Sequence, residues 1–317
     1  MANKLNIYTH KDCFLHVQDE DHPESPMRLE KVMDKLKSIS EAVFVEASLA
    51  TDEQILLFHT KDYLERLNSL LPKEQGVSIS IDDDTMICSD SLKAARRAVG
   101  AVCQATEDVL NGNVRRAFCA IRPPGHHALP DTSMGFCVFG NVAVAAVYAL
   151  QNGAKRVAVV DFDVHHGNGT QKLAEVNPDV LAISLHQCPL WPWSGERNER
   201  MEENILNIPL ALHTPAVDYL RMFENEVLPK LAEFKPDIIF VSAGFDAHLE
   251  DPPKEKVLLN DPPGHQCLED KDYASLAQML CKSADELCEG RLVAALEGGY
   301  NTDVLAKSCY SFVKKLV

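Results

Sequence analysis

The sequence predicts an α/β fold with a central, mainly parallel sheet flanked by helices, and three observations predict it. Short apolar, β-branched runs alternate with longer stretches of helical period, the pattern of strand–helix–strand units. Most of the short runs are bare apolar stretches, as expected of strands covered on both faces. The polar motifs fall at the C-terminal ends of these runs, where open α/β sheets place their sites.

Taken in order, Lys4–Tyr8, Ala117–Arg122, Arg156–Asp161, Val180–Leu185, Ile238–Ser242 and Leu292–Leu296 read as strands, each near a turn or polar break. Between them, Ser91–Leu110 places Leu92, Ala95, Val99, Val102 and Val109 on one stripe, and Asn111-Gly112 stops it. Val138–Leu150, Ala216–Glu233, Asp272–Leu287 and Asp303–Leu316 read as helices in the same way. Leu249–Glu269, with Pro252-Pro253 and Pro262-Pro263-Gly264, reads as a long loop of the kind that often serves function. No Pro-, Gly- or Ser-rich linker and no repeat divides the chain, so one domain over residues 1–317 is expected.

Composition narrows the function. With 317 residues, 46% hydrophobic and 25% charged, the chain fits a soluble globular protein. A net charge of −16 argues against a nucleic-acid groove and suits a cationic substrate, although acidic surfaces more often serve solubility. The first residues carry no apolar h-region, and no run reaches the ~18 apolar residues a membrane span needs. None of the ten cysteines lies in a C-x-x-C arrangement, so a reducing, cytoplasmic setting is expected.

Two motifs carry the chemistry. Ile121-Arg-Pro-Pro-Gly-His-His-Ala128 presents a histidine pair suited to moving protons. Asp161-Phe-Asp-Val-His-His-Gly-Asn-Gly-Thr170 leaves a strand with Asp161, Asp163 and His165 at i, i+2 and i+4, hence on one side of an extended chain. Asp246 closes a neighbouring strand and can complete a set of two carboxylates and one imidazole, which leaves a position open on a divalent ion. Zinc is the first expectation; ferrous iron or cobalt accepts the same set. A lone aspartate at a strand end more often caps a helix or binds a turn, but three such groups beside a histidine pair favour a site.

Beyond these two, Gly135-Phe-Cys137, Ser184-Leu-His186, Ser242-Ala-Gly-Phe-Asp-Ala247 and Leu296-Glu-Gly-Gly-Tyr-Asn301 complete a recognisable series. Together with Arg122-Pro-Pro-Gly-His-His-Ala128 and Asp161–Gln171, they make the chain resemble the histone deacetylase superfamily, closest to its class II branch and to bacterial histone-deacetylase-like amidohydrolases. Weaker similarity starts at His22-Pro-Glu-Ser-Pro-Met-Arg28 and continues through Asp84-Thr85. The resemblance implies a single-domain arginase/deacetylase-like fold. It also implies zinc-dependent hydrolysis of the amide of N-acetyl-lysine, or a related acyl-lysine, to free amine and carboxylate.

By matched position, one Zn2+ per chain is implied on Asp163, His165 and Asp246. His127 is implied as general base, His126 as its charged neighbour held by Asp161, Asn168 as the partner of His127, and Tyr300 as donor to the substrate carbonyl. Phe136 and Trp191 match the walls of an acyl-lysine tunnel, Gly135 an acceptor for the substrate amide, and Asp84 a rim aspartate that grips substrate N–H groups. A structural K+ is implied at Asp161 and Ser184 with main-chain carbonyls of Asp163, His165 and Leu185. His166, His186 and His248 read as packing groups.

Several positions depart from the family pattern. Phe162 stands where class II members commonly carry Trp, and Trp191 where Phe or Tyr is usual. Pro192-Trp-Ser-Gly195 replaces Pro-Gly-Thr-Gly or Pro-Gly-Ser-Gly. Polyamine-selective members place a glutamate seven residues after the metal aspartate; here that position is Pro253, with Glu250 and Asp251 close by as alternative cation contacts.

The expected partner is therefore an acylated lysine peptide or an acylated polyamine, with no nucleic acid and no membrane, and with the oligomeric state open. An acetylpolyamine amidohydrolase is the nearest alternative. A two-manganese ureohydrolase needs Asp-x-His-x-Asp, which His165-His-Gly167 does not supply. A non-catalytic acyl-lysine reader predicts loss of a working residue, yet His126, His127 and Tyr300 are all present.

Overall fold

The computed structural model describes residues 4–19, 21–197, 203–251 and 265–317. Its centre is an eight-stranded sheet in the order β2-β1-β5-β10-β9-β6-β7-β8, parallel throughout. The strands are β1 Leu5–Thr9, β2 Ala42–Glu46, β5 Arg116–Cys119, β6 Val157–Asp161, β7 Val180–Gln187, β8 Ile205–Leu210, β9 Ile238–Ala243 and β10 Leu292–Leu296. A short antiparallel hairpin, β3 Ser78–Ser80 and β4 Met86–Cys88, stands apart.

The inner strands are bare apolar runs because both faces are covered. Along β6 and β9, Ala158, Val160, Ile239 and Val241 join one apolar layer, and Val157, Val159, Ile238 and Phe240 join the other. The first layer packs under α1 Pro26–Leu36, α9 Asp270–Leu287 and α10 Thr302–Val313; the second under α4 Ser91–Leu110 and α5 Asn141–Gln151. Phe162 sits in the first layer, ringed by Phe245, Tyr273 and Phe312, so this aromatic position is a core one. No helix among the described residues is long and apolar enough to cross a membrane.

The six predicted strands all occur, with ends shifted by a residue or so except at β5. That strand stops at Cys119 because Arg122 turns inward to pair with the buried Glu24. The two edge strands escape the periodicity argument. In β2 most side chains keep solvent contact, as Phe44 does, and β8 is interrupted by Asn207 and by Pro209, whose missing N–H is tolerated at an edge.

The segment expected as one helix over Ala216–Glu233 is α7 Ala216–Met222, a π turn Phe223–Val227 and α8 Leu228–Phe234. Pro229 gives the reason: it cannot donate back and its ring crowds the preceding turn, and the wider π turn accommodates it. The helices α1 and α3 Lys61–Leu70 were not anticipated; the buried face of α1 includes Arg28, which blurs its apolar stripe. Of the expected long loop, Leu249–Asp251 and His265–Glu269 lie together through Leu249 N–H on the Leu268 carbonyl (3.0 Å), while 252–264, with Pro253, lie outside the described residues.

Candidate active site

The strand order places β6 between β9 and β7, so Asp161 pairs with Ser242 on one side and Ser184 on the other. The chain leaving β6 carries Asp163 and His165, and the chain leaving β9 carries Asp246. Their ligand atoms all lie within 4.8 Å of one another. His165 Nδ1 is 3.0 Å from Asp163 Oδ1 and 3.3 Å from Asp246 Oδ2.

Backbone donors fix the carboxylates: Val164 N–H to Asp246 Oδ1 (2.8 Å) and Gly298 N–H to Asp163 Oδ2 (2.9 Å). Gly298 is required there, since a Cβ would sit 2.1 Å from Asp246 Oδ2 and 2.6 Å from Asp163 Oδ2. Asp246 Oδ2 is buried with no hydrogen-bond partner among the described residues. Two buried carboxylates, one oxygen of them orphaned, beside an imidazole suit a divalent cation, which removes the cost of leaving that oxygen unpaired. The residues fit the metal.

Asp161, on the same side of the chain, does something else. Its Oδ2 accepts from His126 Nδ1 at 2.9 Å and its Oδ1 from the Asp163 N–H at 3.1 Å. The neighbouring His127 places Nδ1 2.7 Å from Asn168 Oδ1, at the start of α6 Asn168–Ala174, and the two rings lie 3.8 Å apart.

The two imidazoles are driven in opposite directions. Burial pushes His127 well down, and the charges of His126 and His165 add to the effect. Burial opposes the charge on His126 as well, but the Asp163 and Asp161 carboxylates outweigh it and hold that ring well above its ordinary value. The pair thus combines one neutral and one cationic ring, the separation that acid–base work needs.

Tyr300 follows β10. Its own N–H and that of Asn301 both donate to Asp251 Oδ2, each at 2.6 Å. The Arg28 guanidinium lies 5.1 Å from the Tyr300 ring centre, donates to the Gly299 carbonyl at 2.6 Å and to that of Glu297, and pairs with Glu24 at 2.8 Å. Glu24 also binds Arg122, and all three charged groups are buried. Glu297 Oε2 takes the Gly125 and His126 N–H groups (2.6 and 3.2 Å), tying the histidine loop to the tyrosine loop. Burial lifts the carboxyls of Glu297 and Asp251 to about 7 each.

Above this floor, Trp191 stands edge-on to His127 (4.7 Å, 84°), and Phe136 edge-on to Tyr300 (5.8 Å, 84°). Gly135, with φ +58°, turns between them. A Cβ there would fall 2.3 Å from His127 and 2.6 Å from Trp191, so no other residue fits. The turn is held from the β3–β4 hairpin: Gly135 N–H donates to Asp84 Oδ1 (2.9 Å) and Phe136 N–H to Thr85 Oγ1 (3.0 Å). Burial, with Asp82 adjacent, lifts the Asp84 carboxyl to about 6.

Every side chain anticipated for the site thus lies at the C-terminal end of the sheet or on the hairpin that props it. Ser184 lies beside Asp161, its Oγ 2.9 Å from His186 Nδ1. His166 bonds Ser194 and Gln171, as a packing group. One expectation is corrected. Asp251 is not a mouth contact for a cation, because it is buried and committed to the Tyr300 and Asn301 amides, and the Glu250 carbonyl takes Asn301 Nδ2. Glu297 and Arg28 were not anticipated as parts of the site, and Asp251 was anticipated only as a cation contact. The signal for Glu297 and Arg28 was membership of motifs read for other residues.

A family model described as the histone deacetylase domain matches residues 22–316. The histone deacetylase-like amidohydrolase of Pseudomonas aeruginosa is 37% identical over 287 residues, covering 89% of this chain and 72% of that protein. Type-2 histone deacetylase 2 of Dictyostelium discoideum is 34% identical over 362 residues, covering 99% of this chain; the chain spans only 21% of that longer relative. Among solved structures, the HDA15 HD domain matches with a TM-score of 0.88 at 33% identity, over 99% of this chain and 90% of that one. The fold is arginase/deacetylase-like, and the chain belongs to the histone deacetylase family.

Proposed function

We propose that the chain is a zinc-dependent hydrolase of N-acetyl-lysine or a related acyl-lysine, working as one catalytic domain over residues 1–317 and releasing free amine and carboxylate. The observation that carries this reading is the conjunction of the Asp163–His165–Asp246 cluster with a histidine pair whose Nδ1 atoms lie on Asp161 (2.9 Å, His126) and Asn168 (2.7 Å, His127). Zinc held by that cluster, one ion per chain, supplies Lewis acidity.

The protein's own groups do the rest. His127 donates from Nδ1 to Asn168 Oδ1, which leaves its Nε2 lone pair to take a proton from the attacking water and return it to the leaving amine. His126, kept cationic by Asp161, offsets negative charge as it builds. The Tyr300 hydroxyl donates to the carbonyl oxygen as that oxygen becomes anionic. Phe136 and Trp191 flank the aliphatic stem, the Gly135 carbonyl accepts the substrate amide N–H, and Asp84 holds backbone N–H groups at the rim.

A structural K+ would be held by Asp161 and Ser184, paired neighbours on β6 and β7, with carbonyls of Asp163, His165 and Leu185. Ten cysteines with none in a C-x-x-C arrangement suit a cytoplasmic setting. An acylated polyamine is the alternative substrate, favoured by the net charge of −16. Turnover of zinc-loaded protein on acetyl-, trifluoroacetyl- and longer acyl-lysine peptides beside acetylated polyamines tests the reading. Rapid acetyl-lysine hydrolysis supports it, preference for a polyamine moves it to the alternative, and no turnover on any of them sinks both.

A further inference from the structure

Trp193 combines two features that are each unfavourable. Its backbone is left-handed, with φ +61°, a conformation that crowds any bulky side chain and is routine only for glycine. The residue is 62% exposed, which leaves a large apolar side chain in water. The turn cannot relax around it. Trp193 N–H bonds the Leu190 carbonyl (2.8 Å), Ser194 Oγ lies 2.8 Å from His166 Nδ1, and the Gly195 carbonyl takes His186 Nε2 at 2.9 Å. Gly195 is pressed so close to His186 that a Cβ would stand 2.5 Å from Nε2. Strain held by rigid surroundings beside an active site points to use there.

Position tells which use. Trp191, two residues earlier in the same turn, faces His127 and His165 and packs over Gly135, and Gly135 is held by Asp84 of the acidic Asp82–Asp84 turn. The rim therefore runs from three carboxylates through Gly135 and Trp191 to an open indole. We propose that Trp193 is a docking residue for the stretch of polypeptide flanking the acylated lysine, selecting a cationic flank. An indole face attracts an ammonium or guanidinium group more strongly than other aromatic rings do, and the Asp82–Asp84 carboxylates linked to this rim through Gly135 carry the matching charge. The proposal rests on the deacylase reading above, and it takes a peptide as the substrate that Trp193 engages.

The test compares zinc-loaded wild type with Trp193→Gly and Trp193→Phe on an acetyl-lysine peptide with Lys and Arg flanks and on a blocked single acetyl-lysine. Binding of the labelled peptide is read separately by fluorescence polarisation. Trp193→Gly is expected to melt at a higher temperature, since glycine takes φ +61° freely, yet to weaken peptide binding about five- to tenfold. The ratio of kcat/KM between peptide and single residue falls by the same factor through KM, and Trp193→Phe retains most of it. Parallel changes on both substrates, or peptide binding that ignores the indole, would overturn the proposal. Wild type that binds the peptide through Trp193 but hydrolyses neither substrate would leave the docking role standing and remove the deacylase reading.

Discussion

At the floor of the site, Asp163, Asp246, His126 and Glu297 are buried, and backbone N–H groups donate to all three carboxylates, that of His126 to Glu297. At the rim, Gly135, Phe136 and Trp193 have left-handed backbones, and Trp191 and Asp84 sit on turns that retain solvent contact. The floor is over-determined: glycines at 167, 244 and 298 leave no room for one methyl group beside its carboxylates. The rim is fixed differently, by hydrogen bonds from the β3–β4 hairpin and from His166 and His186 to turns that face solvent. Buried geometry of this kind serves chemistry common to all substrates, whereas the solvent-facing rim is where one chain can differ from its relatives in what it admits.

The comparison breaks first if the floor tolerates change. Tyr300→Phe removes the only hydroxyl the proposed mechanism aims at the carbonyl oxygen. It is expected to lower kcat on acetyl-lysine by roughly 10²–10³-fold with little change in KM, measured by steady-state kinetics. A loss below about tenfold would show that the tyrosine only lines the site. The loss on a trifluoroacetyl substrate should be smaller, because its carbonyl is more electrophilic and its oxyanion needs less help.

Legibility in the sequence divided along the same line. Asp161, Asp163 and His165 were readable because extended chain forces i, i+2 and i+4 to one side, although the structure splits that side between His126 and the Asp163–His165–Asp246 cluster. Arg28, Asp251 and Glu297 were not, since their partners are main-chain groups; Arg28 meets the Gly299 carbonyl 271 residues away. Nothing local announces such a contact. At the rim, Trp191 and Trp193 stood out as departures, but only the backbone angle of Trp193 and its exposure gave that departure physical content.

Smaller effects sharpen the boundary between floor and rim. Asp251→Ala leaves the Tyr300 and Asn301 amides unpaired and frees the tyrosine loop. A drop in kcat of about tenfold is expected, with Asn restoring most of it because one amide oxygen can accept both N–H groups. In a Tyr300→Phe background the same change should cost little, since its effect runs through the hydroxyl; additive losses in that double-mutant cycle would contradict this.

His59 supports the rim loop from beneath, its Nε2 accepting from Gly140 N–H (2.9 Å) and its Nδ1 donating to the Pro130 carbonyl (3.3 Å). Burial pushes it down to about 4, below the 6.5 expected unfolded, so its neutral form stabilises the fold above pH 6.5 and that contribution fades as pH falls towards 4. The full effect is on the order of 3 kcal/mol. Melting temperatures from pH 7 to 4.5 should fall less steeply in His59→Gln than in wild type, and parallel curves would refute the assignment.

The smallest effect should come from Trp191→Phe, which restores the residue more usual at this wall. The indole ends 2.6 Å from where a Gly135 Cβ would lie and stands edge-on to His127, so it narrows the passage without touching the metal cluster's hydrogen bonds. A smaller ring loses some contact with the lysine stem, and KM for acetyl-lysine should rise by no more than about threefold. The space gained should raise kcat/KM for longer acyl groups relative to acetyl, measured on a single peptide bearing each acyl group in turn. If kcat on acetyl-lysine falls tenfold instead, Trp191 is holding His127 in register, and the boundary between floor and rim lies two residues further along, at Trp193.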